Sequence, residues 1–474
     1  MKMSTPIVSR QWWLVILILL AGGTALVPLR AHAQAGQNAV YNSGPINSLA
    51  FIDAANFSSN NGLDFCGQLN AVLTSTATNI EYSNWQVIDA RGITSTTCLS
   101  NPWTFPSTQG PPWVTVLLPA GTIQISSTWT LPQHTRIIGQ GPGITTLQAT
   151  SSLSGPLIQM GCYVSGSKTC GLAFGVSVEN LTLDGYSFAV DGIDNNDAQE
   201  QSYVKHVQMI NIGGTGLSLK PDPNATPPNP QGPNHSNYSD ISITETANGA
   251  ACVNIAQGGY DPGVTQPLKP RGIHGLNCTC MTSGTVCSSN SHPGVYLDGS
   301  SVSLEDVSIN GFGDGILIGS QESAYTSTVQ SDIILNVHGG SSLTNVVHIC
   351  GANPGNHTAC YQSYNNVPVT DLTLMGITST GTNTIQDDVT DTLLTESSDP
   401  TVGMYVLGEG VTAGSSTAGY SRFTTSPSVP AWLVGTSTLS SSITCAEGSL
   451  YSKTSGTGSV LWGCNTSGKW TTIR

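Results

Sequence analysis

One short pattern of apolar and polar residues returns along the middle of the chain. A small polar or charged residue is followed by an apolar, a polar and an apolar residue, and then by a turn. Because alternation places both apolar residues on one face, each copy predicts a very short β-strand. A second apolar pattern comes shortly after most copies and predicts another strand. The copies begin at Asn180, His206, Asp240, Asp306, Asp332 and Asp371.

Short strands at a repeat of roughly 25 residues are typical of the coils of a solenoid. The gap between Asp240 and Asp306 leaves room for one more copy and an insertion. We therefore predict an all-β protein folded as a right-handed parallel β-helix. A sandwich of hairpins is the alternative, but it would show regular two-residue Asn-Gly or Asp-Gly turns, and no regular set is found. Stacked coils are expected to bury Leu181, Val207, Ile241, Val307, Ile333 and Leu372 in one column and to expose Thr182, Gln208, Ser242, Ser308, Ile334 and Thr373 in the next.

The first third of the chain predicts a helix over 64–73, with Asp64 near its N-cap, followed by strands. Two motifs there, Leu118-Pro119-Ala120-Gly121-Thr122 and Ile138-Gly139-Gln140-Gly141, resemble the start of the pectate-lyase-like domain of the rhamnogalacturonase/epimerase type. The resemblance implies a β-helix whose N-terminal end is capped by a helix. The chain departs from the family at 60–64, where Asn-Asn-Gly-Leu-Asp replaces the usual Gly-Asp-Gly pattern. This fold hosts lyases, hydrolases, epimerases and non-catalytic phage and surface proteins, so it implies activity only loosely.

The N-terminus has the features of an export signal. Lys2 and Arg10 precede an apolar run, and Ala31-His32-Ala33 is a small-x-small cleavage site. An uncleaved membrane anchor is the alternative, but Pro28 ends the apolar run early. We predict a secreted protein, periplasmic or extracellular, with no membrane segment after cleavage.

Composition shifts suggest how the remaining chain is divided. The predicted domains are a signal peptide at 1–33, a linker at 34–50, a β-helix at 51–400, a Ser/Thr/Gly-rich linker at 401–430 and a small β module at 431–474. A module of this size needs a staple such as a disulfide. It is expected to act either as a wall- or glycan-binding appendage or as a C-terminal cap.

The charge of the chain limits its partners. Only 9% of residues are charged and the formal net charge is −14, so nucleic acid is not an expected partner. A polyuronide would be repelled unless Ca²⁺ or a local basic patch held it, whereas a neutral glycan would not.

Twelve cysteines are typical of an oxidising compartment. A metal site at Cys278, Cys280 and Cys287 is the alternative to disulfides, but the spacing does not fit a zinc knuckle. The pairing of Cys252 and these three cysteines stays open. Local spacing predicts disulfides between Cys66 and Cys98, Cys162 and Cys170, Cys350 and Cys360, and Cys445 and Cys464.

A cluster of acidic residues suggests where chemistry takes place. We predict Asp191, Asp194 and Asp197 as catalytic carboxylates, because glycoside hydrolysis uses a pair of carboxyl groups. Asp184, Asp191 and Asp194 are alternatively predicted to bind calcium, the one cofactor expected. In a third interpretation, these residues only form turns through local hydrogen bonds.

A lyase would instead need a base and a group that neutralises the uronate carboxylate. Arg271 is the candidate base, with a solvated surface charge as the alternative. We predict that the substrate is bound by Lys205, Asn254, Tyr296 and His348.

The motif order of polygalacturonase-type hydrolases is not matched. His274-Gly275 and His338-Gly339 precede Asp387-Asp388, and no Arg-x-Lys follows. The sequence therefore predicts a secreted β-helix protein that acts on polysaccharide, as a polyuronide lyase or a glycoside hydrolase. The competing hypothesis is a non-catalytic surface, adhesion or glycan-binding β-helix.

Overall fold

The computed structural model divides the chain into two compact units, Met1–Pro45 and Ile46–Arg474, and every described residue belongs to the second. The predicted signal peptide therefore lies outside the described residues. No described helix is both long and apolar enough to cross a membrane. The structure describes residues 51–57, 62–79, 86–104, 113–161, 173–196, 198–219, 235–246, 250–255, 272–287, 292–297, 302–318, 329–330, 332–349, 369–370, 372–379, 383–387, 405–407, 411–413, 420–422, 432–435, 447–448, 450–453 and 461–473.

Parallel strands wind into a three-sided solenoid, which confirms the predicted right-handed parallel β-helix. A 17-stranded sheet forms two sides and a 10-stranded sheet forms the third. The two sides of the large sheet are evident at Ser177–Asp184, whose first half pairs with Thr135–Ile138 and whose second half pairs with Thr145–Ala149. We call these halves side A and side B, and the 10-stranded sheet side C.

The strand bounds show that most strands are very short, as predicted. The large sheet contains Phe51–Asp53, Gln86–Asp89, Thr97–Cys98, Val114–Leu117, Gly121–Ile125, Thr135–Ile138, Thr145–Ala149, Ser177–Asp184, Tyr203–Ile212, Asn237–Thr246, Gly272–Thr282, Thr285–Val286, Ser303–Asn310, Ile333–Gly339, Thr373–Met375, Thr378–Ser379 and Tyr405–Leu407. Side C contains Trp129–Leu131, Ile158–Met160, Ile193–Asn195, Leu217–Leu219, Val253–Ile255, Val295–Leu297, Asp314–Ile318, Asn345–Ile349, Asn383–Asp387 and Val411–Ala413.

The corner between sides A and B is made by single residues with a left-handed backbone. Such residues are uncommon unless they are Gly, Asn or Asp, whose backbones tolerate positive φ. Neighbouring corners also bond to each other: His206 Nδ1 lies 2.8 Å from Asn180 Oδ1, and Asn336 donates to Asp306 over 3.2 Å. The corner residues are Asn180, His206, Asp240, Gly275, Asp306, Asn336 and Gly376, with φ between 53° and 70°.

The corners confirm four of the predicted repeat starts and correct two. The extra copy expected between Asp240 and Asp306 is Gly272–Thr282, with its corner at Gly275. The last two corners fall at Asn336 and Gly376 rather than at the predicted Asp332 and Asp371.

Ile333 and Ile334 were assigned to the wrong faces. Ile333 is 42% exposed, whereas Ile334 is fully buried. Asp332, predicted as the repeat start, is itself buried and accepts the Val302 amide over 2.8 Å. The predicted column of buried residues therefore continues through Val337, which pairs with Val307.

Two further members of the predicted columns are corrected. Leu372 is buried, but it precedes the corner at Gly376 and so lies outside this column. Thr182, predicted to be exposed, is 2% exposed.

One helix closes the N-terminal end, as the resemblance implied. It spans Phe65–Asn79 and is longer than the predicted 64–73. Phe65 stacks on Trp129 with ring centroids 6.2 Å apart. Asp64 is the N-cap: its Oδ1 accepts the Gly67 amide over 2.7 Å, and its Oδ2 accepts the Leu99 amide over 2.6 Å.

Replacing Asp64 with alanine should lower the free energy of unfolding by about 0.5–2 kcal/mol, because the cap is lost. Asp64→Asn is the comparison variant: its one amide oxygen can still cap Gly67 but cannot also accept the Leu99 amide, so its loss of stability should be smaller than that of alanine. Urea midpoints of the two variants would test this expectation. Equal losses for alanine and asparagine would contradict the capping role.

Three disulfides join described cysteines, and no described cysteine is free. The predicted Cys66–Cys98 bond is confirmed. The open pairings resolve as Cys252–Cys278 and Cys280–Cys287, which leaves no thiolate there to bind a metal. Cys464 is also disulfide-bonded, while its predicted partner Cys445 lies outside the described residues, as do Cys162, Cys170, Cys350 and Cys360.

Two further small sheets are present. The predicted C-terminal apolar anchors Trp462 and Trp470 are buried and lie in a five-stranded sheet. Its strands are Tyr420–Arg422, Trp432–Gly435, Leu450–Lys453, Leu461–Cys464 and Trp470–Ile473, and a two-stranded pair joins Val329–Gln330 to Val369–Thr370.

Candidate functional site

A continuous row of polar side chains runs along the outward face of side C. Register pairs each member with the next, so that successive members lie one coil apart, about 4.8 Å. Asp194 lies within the row, between Gln159 and Ser218. We call these residues the polar row: Thr130, Gln159, Asp194, Ser218, Asn254 and Tyr296.

The polar row is only partly accessible. Four of its members are partly exposed, namely Thr130, Gln159, Asp194 and Asn254, whereas Ser218 is 1% and Tyr296 9% exposed. The next two outward positions are Leu317 and His348, and both are buried. The predicted substrate ligands Asn254, Tyr296 and His348 thus share one outward column with Asp194.

His348 forms a buried polar cluster with Asp314. His348 Nδ1 lies 2.8 Å from Asp314 Oδ2, and Asn345 donates to Asp314 Oδ1 over 2.7 Å. All three side chains are at most 8% exposed. Burial of a polar group is tolerated when it is hydrogen-bonded in this way.

Several long connections of the solenoid leave side C. Three of them run between Leu219 and Asn237, between Ile255 and Gly272, and between Ile349 and Thr373. Insertions in a solenoid occur on one face, which is often the binding face. The polar row therefore lies beside the edge at which these connections begin.

Asp184 is committed to a turn at the end of side B. Its Oδ1 accepts the Tyr186 amide and the Asn211 side chain, each over 2.9 Å, and its Oδ2 accepts Gln148 over 2.8 Å. These bonds match the interpretation in which the acidic residues form turns.

Asp191 lies in the corner between sides B and C, near a buried carboxyl that the sequence analysis missed. Asp191 Oδ1 accepts the Thr215 amide over 2.5 Å. Glu245 is fully buried, and neither carboxyl oxygen has a hydrogen-bond partner. Burial raises the pKa of Glu245 well above its ordinary value, and the negative charge of Asp191 raises it further. Both effects favour the uncharged form of Glu245.

Lys205 lies on a different side of the solenoid from the polar row. It is exposed on side A and pairs in register with Glu179. Arg136 Nε is 2.5 Å from Glu179 Oε1, and the Tyr203 hydroxyl donates to that oxygen over 2.7 Å. Burial alone would raise the pKa of Glu179, but the hydrogen bonds from Arg136 and Tyr203 together lower it.

The three predicted calcium ligands do not form one group. Asp184 ends a side B strand, Asp191 lies in the next corner and Asp194 lies on side C. Among the described residues, no three His, Cys, Asp or Glu side chains are arranged to hold a metal ion. A calcium site stays a prediction. Asp197 and Arg271 lie outside the described residues, so their proposed roles also stay predictions.

No family model and no curated protein matches the chain. An alginate lyase from Paenibacillus sp. str. FPU-7 is 11% identical and has a TM-score of 0.36 over 72% of this chain and 97% of that one. The A-module of a mannuronan C-5 epimerase from Azotobacter vinelandii is 14% identical, with a TM-score of 0.28 over 63% and 87%. The Streptococcus pneumoniae surface protein and adhesin PfbA is 9% identical, with a TM-score of 0.29 over 77% and 99%. Similarity at this level assigns no activity.

Proposed function

We propose that the protein is a secreted carbohydrate-active β-helix protein that binds a polysaccharide along the polar row and hydrolyses it. The carrying observation is the position of Asp194, a partly exposed carboxylate in register with the partly exposed Gln159 of the preceding coil. A ligand that bonds to groups spaced regularly along the solenoid must itself be extended and repetitive. The disulfides support an oxidising compartment.

The chemistry of the polar row favours a glycan as the ligand. The hydroxyl, amide and carboxylate groups of its partly exposed members can exchange hydrogen bonds with sugar hydroxyls. The described residues of side C include no Lys or Arg, so the row offers no cation for a uronate. With a net charge of −14, the protein favours a neutral chain over a polyanion.

Hydrolysis fits this row better than β-elimination. Hydrolysis uses two carboxyl groups, one as an acid at the leaving oxygen and the other as a base or nucleophile. Asp194 is proposed as one of them, with Asp191 or Asp197 as its partner. Elimination would depend on Arg271 as the base, with a cation facing the uronate carboxylate.

Binding without cleavage is the second candidate. It is favoured by the observation that Asp194 is the one carboxylate among the members of the polar row. The remaining members would still bind a glycan if the second carboxyl group were absent.

Incubating the mature chain with neutral and pectic polysaccharides, with and without Ca²⁺, tests the proposal. We expect new reducing ends from a neutral glycan and no absorbance from unsaturated products. Asp194→Asn should lower the rate by about 10²–10⁴-fold, because the amide can neither donate nor accept the proton. Asp240→Asn, at an exposed corner outside the row, should leave the rate unchanged.

Each other outcome assigns the protein differently. Unsaturated products from pectin would replace the hydrolase with a lyase. Glycan binding without product would favour the second candidate. Full activity of Asp194→Asn would remove Asp194 from the mechanism.

A further inference from the structure

A recess opens at the far end of side B, where the coils turn toward side C. Its volume is about 810 Å³. The recess is separate from the polar row, none of whose members lines it. Its described lining consists of Ser187, Ala189, Asn211, Gly213, Thr244, Glu245, Thr246, Met281, Thr282, Ser283 and Gly284.

A short hairpin contributes one wall of this recess. The strand Gly272–Thr282 turns back through Ser283 and Gly284 and pairs antiparallel with Thr285–Val286. The Cys280–Cys287 disulfide joins the two arms. This covalent link holds the hairpin on the coil from which it projects.

The turn at 185–189 contributes another wall and is built around Asp184. Tyr186 and Ser187 both have positive φ, 52° and 62°, which is uncommon for residues with side chains. The Tyr186 amide bonds to Asp184, and the Ser187 amide donates to the Asn211 carbonyl over 2.8 Å. Any side chain at Gly213 would clash with the Phe188 carbonyl oxygen. The neighbouring coil therefore fixes this turn in an unusual conformation.

The same turn exposes an aromatic pair beside the recess. Tyr186 and Phe188 alternate with the lining residues Ser187 and Ala189. Their ring centroids lie 5.6 Å apart, Tyr186 is 60% exposed, and Phe188 packs partly against the core. A supported, exposed ring next to hydroxyl and amide groups can stack on the apolar face of a sugar while those groups bond to its hydroxyls.

The recess has one ionisable carboxyl among its described lining residues, that of Glu245. That carboxyl is fully buried, and burial and the charge of Asp191 both raise its pKa, which favours its uncharged form. No Lys, Arg or His is among the described lining residues. A uronate or a phosphate would therefore find no counter-charge, whereas an uncharged sugar needs none.

We propose that this recess is a second carbohydrate site, which binds an uncharged sugar unit with Tyr186 as its stacking platform. The site is separate from the polar row and requires no cleavage. It would bind a terminal or branching sugar of a glycan. This proposal is tested by Tyr186→Ala and the hydrolase proposal by Asp194→Asn, so the failure of one can be distinguished from the failure of the other.

Calorimetry with the mature chain tests the site, using cellotriose, xylotriose and mannotriose as neutral probes and trigalacturonate as the charged probe. We expect at least one neutral trisaccharide to bind. Tyr186→Ala should weaken that binding at least tenfold, whereas Tyr186→Phe should keep it, because the ring remains. Asp194→Asn, which alters only the polar row, should bind that trisaccharide as tightly as the wild type. Unchanged melting temperatures would show that the variants are folded.

Four results would overturn the proposal. The first is that no neutral trisaccharide binds the wild type. The second is that Tyr186→Ala binds as well as the wild type, and the third is that Asp194→Asn abolishes the binding. The last is that trigalacturonate binds as tightly as the neutral probes and loses affinity equally in Tyr186→Ala, because the recess would then not select uncharged sugars.

Discussion

Replacing Ile334 with alanine is expected to lower the free energy of unfolding by about 2–5 kcal/mol, because the change empties space in a packed core. The same replacement at the adjacent Ile333 should change it by no more than about 0.5 kcal/mol. Ile334 is fully buried between Leu304 and Leu374 of the neighbouring coils, whereas Ile333 is 42% exposed. The pair shares residue type, strand and substitution, so only the side of the sheet differs.

Urea unfolding followed by circular dichroism measures this contrast, provided that the slope against urea is the same in both variants. The pattern read from the sequence predicts the reverse, with Ile333 in the core and Ile334 in water. If Ile333→Ala lowered the free energy of unfolding more than Ile334→Ala, Ile333 would be the core residue, and the register with Ile334 buried would be wrong. Equal losses at both positions would show that this strand is not held with one face to the core.

The error at this strand has a physical cause. Side chains alternate with a period of two, so a slip of one residue exchanges the buried and exposed sets. At Asp306 a clean apolar–polar–apolar pattern follows, and the register was correct. After Asp332 come three consecutive apolar residues, which fit either register. The buried Asp332 resembles a corner residue in sequence, and only the tertiary bond from the Val302 amide distinguishes it from the true corner at Asn336.

The candidate site was predictable where it depends on alternation within strands. Asp194, Asn254 and His348 share one outward column, because each is the next-to-last residue of its strand and lies between two buried residues. Corners are different, since a turn of a few residues separates sides that point in different directions. Asp184, Asp191 and Asp194 are close in sequence yet belong to three parts of the coil.

Contacts between coils were not predictable from the sequence. In the sequence, Tyr186 resembles an ordinary turn residue, because neither the contact of its ring with Phe188 nor the nearby hairpin of a distant strand is evident there. Glu245 lies in a run of three polar residues, Thr244-Glu245-Thr246, which by itself does not indicate a buried carboxyl. Its burial is consistent with alternation continued from the buried Ile241 and Ile243, which directs a titratable side chain into the core.

Glu245→Gln is expected to stabilise the protein at neutral pH, by an amount that grows as the pH rises. The native carboxyl is buried without a hydrogen-bond partner, and its pKa is raised well above the ordinary value of 4.5 by burial and by the charge of Asp191. Below pH 4.5 the carboxyl is protonated in both states, so wild type and variant should differ little. Between pH 4.5 and the native pKa, the Glu245 carboxyl is ionised in the unfolded chain but protonated in the folded protein. Folding in this range therefore requires the uptake of a proton. The wild type then loses about 1.4 kcal/mol per pH unit until the native pKa is reached, and the uncharged glutamine loses nothing.

Urea unfolding of the wild type and of Glu245→Gln between pH 4 and pH 8 measures this difference. Asp240→Asn is the matched control, because Asp240 lies on the same strand, is exposed, and occupies a corner backbone that asparagine also adopts. The control's stability should follow the wild type at every pH. A constant difference between Glu245→Gln and the wild type would mean that the native carboxyl ionises as readily as the unfolded one. The recess above Glu245 would then carry a negative charge, and its proposed preference for uncharged sugars would lose its electrostatic basis.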